Sequence, residues 1–183
     1  MGDWKSHGAD TGGYYKCNKF DGNEPGDALN DVDRAKRELD RYLHFYQRYH
    51  AHDEGQKYAQ KHLAATEERM VQLQETSDDS RWSDVEFLKT ANEQLVVCRR
   101  VLKYTYVFGY FLLPTPQNAM QRARYETHQE MLERFTESLS HISEQPLDQM
   151  NRTDVVNKTR VVDNFVKNIL EYVDSGMDDD GGR

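Results

Sequence analysis

Residues 31–75 read DVDRAKRELDRYLHFYQRYHAHDEGQKYAQKHLAATEERMVQLQE, and this stretch decides the fold. Apolar side chains recur through its first half at alternating steps of three and four, the spacing of one face of an α-helix; they are Val32, Ala35, Leu39, Tyr42, Tyr46 and Tyr49. Gly55 is the one weak point, since glycine inside a helix costs about 1 kcal/mol relative to alanine. We therefore predict one very long helix over 31–75, or two collinear helices that meet near Gly55.

A second helix follows a short polar turn at 76–80. Residues Ser83 to Glu86 have the form of a capping box, in which the Ser and Glu side chains satisfy free backbone N–H groups at a helix start. We predict that the helix begins there and ends before Pro114, because proline cannot continue it. Residues 104–113 are apolar on nearly every side, which predicts a helix end that is buried on all sides.

Two shorter helices complete the pattern. Apolar residues at helical spacing predict a third helix over about 118–143, followed by the breaker Pro146, and a fourth over about 154–174, stopped by Gly176. No stretch of useful length alternates in the manner of a β-strand. The sequence therefore predicts an all-α fold, an antiparallel up-and-down bundle of about four helices whose first helix is very long.

The composition limits the function classes. Acidic residues number 32 against 24 basic ones, and the net charge of -8 argues against nucleic-acid binding because phosphates require a basic surface. The longest apolar stretch, 101–113, is shorter than the roughly 18 residues that a membrane-spanning helix needs. Residues 1–20 lack the apolar region of a signal peptide, and the two cysteines, Cys17 and Cys98, indicate no disulfide framework. We expect a soluble intracellular protein with reduced thiols.

Motifs for catalysis or metal binding are mostly missing. No Glu is followed by His three residues later, as a di-iron bundle requires. His50 and His52 point about 200° apart on a helix, so we interpret them, with His44 and His62, as surface and groove histidines. Cys98 falls on an apolar helix face and is predicted to be a buried thiol rather than a nucleophile. These residues indicate a helical interaction or scaffold domain.

The first 20 residues are the exception. His7 and Cys17 bracket a short glycine-rich loop, a pattern that can supply the second half of a tetrahedral zinc site. Such a site needs four ligands, and only two are present in this stretch. An unstructured tail is the alternative interpretation.

Several blocks resemble one family of ubiquitin ligases. Trp4-x-x-His7-Gly8 and Tyr15-x-Cys17-Asn18-x-Phe20 resemble the end of the catalytic zinc module of RING-between-RING ligases of the Ariadne subfamily. Blocks at 33–49, 82–89 and 98–108 resemble that subfamily's helical C-terminal Ariadne domain. The resemblance implies four segments: the end of the catalytic zinc module at 1–20, a linker at 21–30, the Ariadne helical domain at 31–176 and a disordered acidic tail at 177–183.

The resemblance also implies a function. In that family a catalytic cysteine accepts ubiquitin from a ubiquitin-conjugating enzyme, and the Ariadne domain masks the zinc module that carries this cysteine until a neddylated cullin–RING ligase engages. The upstream modules and the catalytic cysteine are not in this sequence. We therefore expect the regulatory part of a cytoplasmic and nuclear ligase rather than an enzyme complete in itself. A helical scaffold that binds another protein, unrelated to ubiquitin transfer, is the alternative.

Five site residues follow from the resemblance. Tyr58 stands at the aromatic position of the family's inhibitory contact, Ala59 at its acidic position and Glu137 at a second acidic position. Ala59 departs from the pattern. His7 and Cys17 match the last two zinc ligands of the catalytic module. A core aromatic for Tyr58 and a solvated helix charge for Glu137 are the alternatives.

Overall fold

A computed structural model of the chain describes residues 19–20, 30–75, 79–146 and 149–177. Four α-helices fill most of these ranges, and no strand occurs among them. The helices are α1 (Asp31–Glu75), α2 (Asp79–Phe111), α3 (Ala119–Ser143) and α4 (Arg152–Asp174). The predicted all-α fold with a very long first helix is confirmed, and α1 runs through Gly55 without a break.

The helices form two antiparallel hairpins. Ion pairs tie α1 to α2 along their length, with Asp53 at 2.9 Å from Lys103 and Glu67 at 3.1 Å from Lys89. In the second hairpin the rings of Phe135 on α3 and Phe165 on α4 stack at 4.8 Å. Helix α2 packs against all three other helices, whereas α1 packs mainly against α2. Helix α2 is therefore the centre of the bundle.

The apolar core comes mainly from α2, α3 and α4. Its buried side chains include Leu95, Cys98, Leu102, Tyr125, Leu132, Leu139, Val155, Val162 and Ile169. Helix α1 adds Ala59 to this core, while most of its predicted apolar face, including Leu39, Tyr42 and Tyr46, is exposed. The spacing thus predicted the helix correctly, but a helix with one main neighbour buries only a narrow side of its surface.

Two sequence-based expectations about α2 are wrong. The helix begins at Asp79, four residues before the predicted cap at Ser83, since residues 79–83 include no glycine or proline that would keep them out of a helix. Its last turns are not buried on all sides, because Tyr104 and Phe111 are 56% and 73% exposed. Helices α1 and α3 cover two sides of this end, and a third side stays open.

Local capping fixes a short 3-10 turn, Pro116–Asn118, that leads into α3, and it sets the start of α4. Thr115 and Asn118 form a reciprocal capping box before α3, in which each side chain accepts a hydrogen bond from the other's backbone N–H. Asn151 Oδ1 accepts hydrogen bonds from the N–H groups of Thr153 and Asp154, so α4 starts slightly before the predicted position. After α4, Gly176 adopts a φ of 76°, the left-handed conformation that commonly ends a helix.

The N-terminal segment with His7 and Cys17, most of the linker and the tail after residue 177 lie outside the described residues. Their assignment as separate segments stays a prediction. Across the described ranges, none of the helices combines the length and the apolar character that crossing a membrane would require.

Candidate interdomain contact site

Tyr58 and Ala59 are neighbours in sequence but face different surroundings. The Tyr58 side chain is 51% exposed, with its ring centroid 4.4 Å from that of His62 one turn later. Ala59 is 5% exposed and belongs to the same core cluster as Leu95 and Cys98. Successive helical residues point about 100° apart, which separates the two side chains. Tyr58 is therefore not a core aromatic, and position 59 is occupied by a core side chain.

Arg99 of α2 connects α1 to α3. Its Nη1 donates a hydrogen bond to Glu137 Oε1 of α3 and lies 3.4 Å from His52 Nδ1 of α1. The guanidinium also lies against Gly55, where an added Cβ would come within 3.1 Å of Arg99 Nε. Glycine at this point in α1 gives the arginine room to pass between the helices. Glu137 is thereby fixed by an ion pair and is not a freely solvated charge.

A buried polar cluster supports this crossing. His52 is almost fully buried and stacks on Tyr106, with ring centroids 5.4 Å apart and planes 14° apart. Its Nε2 lies 3.5 Å from Glu133 Oε1, and Tyr106 donates a 2.8 Å hydrogen bond to Glu133 Oε2. Burial raises the pKa of Glu133, but attraction to the nearby His52 and the Tyr106 hydrogen bond outweigh it and lower the pKa overall. The surface or groove interpretation of His52 is therefore wrong.

The described residues offer no activated nucleophile at Cys98. Its thiol is buried, and desolvation raises its pKa to about 11, so the reactive thiolate is scarce at neutral pH. This agrees with the buried thiol predicted from sequence.

Metal ligands are equally sparse in this part of the molecule. The ranges that the structure describes contain no group of three or more His, Cys, Asp or Glu side chains placed to hold a metal ion. His7 and Cys17, which lie outside those ranges, suit zinc in kind but supply two of the four ligands of a tetrahedral site.

The arrangement fits a contact surface, with a fixed charge and an exposed ring, better than a reaction centre. Comparison with known proteins decides the family, because the Ariadne domain profile matches residues 40–177. The chain belongs to the Ariadne domain family. The resemblance inferred from the sequence blocks is confirmed at this level.

Relatives of this Ariadne domain carry names that point to ubiquitin transfer. It is 36% identical over 186 residues to "Probable E3 ubiquitin-protein ligase rbrA" of Dictyostelium discoideum, covering 96% of this chain and 35% of the relative. It is 32% identical to "E3 ubiquitin-protein ligase ariadne-1" of Drosophila melanogaster, covering 97% and 34%, respectively. The human "E3 ubiquitin-protein ligase ARIH1" is 29% identical, with coverage of 98% and 31%. The chain spans about a third of the length of these curated relatives.

Sequence reasoning missed Arg99 and the cluster around His52. The signal for Arg99 was Gly55, a glycine inside a long helix, which was interpreted as a weak point rather than as room for a crossing side chain. No spacing rule identifies Glu133 as the partner of His52, because the two residues lie on different helices and meet only through packing.

Proposed function

We propose that this Ariadne domain regulates a RING-between-RING ubiquitin ligase by masking the catalytic zinc module of the same protein. Engagement of a neddylated cullin–RING ligase releases the mask, and ubiquitin then passes from a ubiquitin-conjugating enzyme to the catalytic cysteine. His7 and Cys17 are the last two zinc ligands of the masked module in this proposal, and the protein acts in the cytoplasm and nucleus. The ligase names of the relatives support the proposal.

One structural observation supports assigning the masking contact to particular residues. Tyr58 exposes half of its surface on α1, while Arg99 fixes Glu137 on α3. A rigid aromatic ring and a carboxylate held in place lose little conformational freedom on binding, which makes them effective interface anchors. Ala59 contributes to the core beneath and not to the surface.

Masking is an equilibrium between a closed state, in which the Ariadne domain covers the zinc module, and an open state, in which the module is free. Every 1.4 kcal/mol of contact free energy changes the open fraction about tenfold while the closed state predominates. Truncation of an aromatic anchor at an interface costs about 2 kcal/mol or more. Tyr58→Ala should therefore raise basal ubiquitin discharge in the full-length protein at least several-fold. Glu137→Gln keeps a hydrogen-bond acceptor for Arg99 but removes the charge, and a smaller rise is expected.

The experiment is single-turnover discharge of ubiquitin from the full-length protein, with melting curves to show that each variant is folded. Tyr46→Ala is the matched control, because Tyr46 is a tyrosine of the same helix with 48% exposure, against 51% for Tyr58. It lies twelve residues away, about 18 Å along α1. If Tyr58→Ala leaves discharge unchanged, or Tyr46→Ala raises it equally, the regulatory assignment fails. The scaffold alternative would then be preferred.

A further inference from the structure

Lys19 and Phe20 are held against the bundle ahead of α1. The ring of Phe20 meets His44 of α1 edge to face, with centroids 5.3 Å apart and planes 68° apart. Phe20 also lines a pocket with residues of α1, of α3 and of the end of α2, among them Phe45, Tyr125 and Leu112, which directly follows α2. Lys19 Nζ lies 3.7 Å from Glu126 Oε2 of α3. Two consecutive residues thus contact a junction of three helices.

The walls of this pocket are fixed by contacts that do not involve Phe20. The guanidinium of Arg41 lies 5.2 Å from the centroid of the Phe45 ring and hydrogen-bonds the backbone carbonyl of Tyr110. Gly109 lets Phe45 approach closely, since an added Cβ would meet that ring at 3.1 Å. Tyr125 is buried and donates a 2.7 Å hydrogen bond to the carbonyl of Thr105. The pocket is therefore built into the helix packing.

The pocket and the contact site both involve α1 and α3, and they lie at a distance from each other along these helices. On α1, His44 and Tyr58 are fourteen residues apart, which at about 1.5 Å per residue is about 21 Å. On α3, Glu126 and Glu137 are eleven residues apart, or about 17 Å. A segment attached at the pocket and bound at the contact site would therefore be held at two separate points.

We infer that Lys19 and Phe20 form an anchor that stays on the bundle and acts as the pivot of the masked zinc module. Cys17 precedes Phe20 by three residues, so its Cα lies within about 11 Å of the Phe20 Cα in any conformation. The anchor keeps the module at a high effective concentration near Tyr58 and Glu137, so that the contact can re-form after opening. The pivot rests on the proposed function, whereas the anchor can be tested without it.

Trypsin tests the anchor in the 183-residue chain, because it cleaves between Lys19 and Phe20 only when this pair detaches from the bundle. Rates are divided by those of free peptides spanning residues 14–26 with the same substitution. We expect Phe20→Ala to speed cleavage about tenfold, the factor that corresponds to 1.4 kcal/mol. Phe20→Tyr should be cleaved at the wild-type rate, and Glu126→Gln should be cleaved about twofold faster. A wild-type rate for Phe20→Ala would overturn the anchor.

Ubiquitin discharge by the full-length protein tests the pivot. Glu126→Lys places a like charge opposite Lys19 without altering the N-terminal segment, and basal discharge should rise about twofold or more. Combining it with Lys19→Glu restores the opposite charges and should return discharge to the wild-type value. If Glu126→Lys releases the tryptic site but leaves discharge unchanged while Tyr58→Ala raises it, the pivot is refuted and the proposed function stands. If Tyr58→Ala is also silent, the proposed function itself has failed.

Discussion

Ala59→Glu distinguishes the position predicted by the family pattern from the position seen in the bundle. The family pattern places an acidic side chain at residue 59 in contact with another module, and there the substitution would strengthen masking. The structure places Ala59 in the core with Leu95 and Cys98. The same substitution then forces a carboxylate into apolar packing, and we expect the domain to be strongly destabilised.

The expected loss has two parts. Adding side-chain volume to a packed core costs about 1–3 kcal/mol, and an unpaired buried carboxylate costs several kcal/mol more. A total of about 4 kcal/mol corresponds to a fall in melting temperature of roughly 8–16 °C for a domain of this size. Burial raises the pKa of the introduced carboxyl above its unfolded value. The charge part of the loss is therefore present at neutral pH and disappears below about pH 4, where both states are protonated.

Thermal unfolding followed by circular dichroism measures this loss, and Gln60→Glu is the matched control. Gln60 follows Ala59 directly and is exposed, so the same carboxylate should change stability there by no more than about 0.5 kcal/mol. Melting curves at pH 7 and at about pH 4 separate the charge part from the packing part. Equal melting temperatures for the two variants at pH 7 would show that residue 59 faces solvent and is not part of the core.

Two further predictions concern buried groups. Cys98 should resist iodoacetamide in the folded chain and form no thioester with ubiquitin, because burial raises the pKa of its thiol to about 11. It should react with iodoacetamide once urea unfolds the domain, and peptide mapping distinguishes it from Cys17. Rapid labelling of Cys98 in the folded chain would contradict its burial. Glu133→Gln should reduce the fall in melting temperature between about pH 5 and pH 3. The lowered pKa of Glu133 stabilises the fold at any pH above the ordinary glutamate pKa of 4.5, and this stabilisation is lost on acidification. An unchanged pH profile would show that the His52–Glu133 pair does not contribute.

The positions of the helices were predictable because the signals that set them are local. Pro114 and the reciprocal cap at Thr115 and Asn118 separate α2 from α3, and Gly176 follows the end of α4. Apolar residues at helical spacing also predicted α3 and α4, and Leu132, Leu139, Val162 and Ile169 among them are buried. Each of these features depends on residues within a few positions of one another.

The contact site was only partly predictable because it depends on which helices become neighbours. Tyr58 and Glu137 came from the family resemblance, but the exposure of one and the ion pair of the other depend on how α1, α2 and α3 pack. The same holds for Phe111, whose apolar surroundings in sequence gave no indication that one side of α2 would remain uncovered. Burial is a property of the assembled bundle, whereas periodicity describes one helix.

Because α1 has a single main neighbour, the bundle can open in part at this helix. A helix that packs chiefly on one partner can detach by a partial opening, which costs no more free energy than global unfolding. Tyr58 and His44 travel with α1, while Glu137 and Glu126 remain on α3. Detachment of α1 would thus split the candidate contact site and the Phe20 pocket in one event. Amide hydrogen exchange along α1 would report how often the two sites separate while the rest of the bundle stays folded.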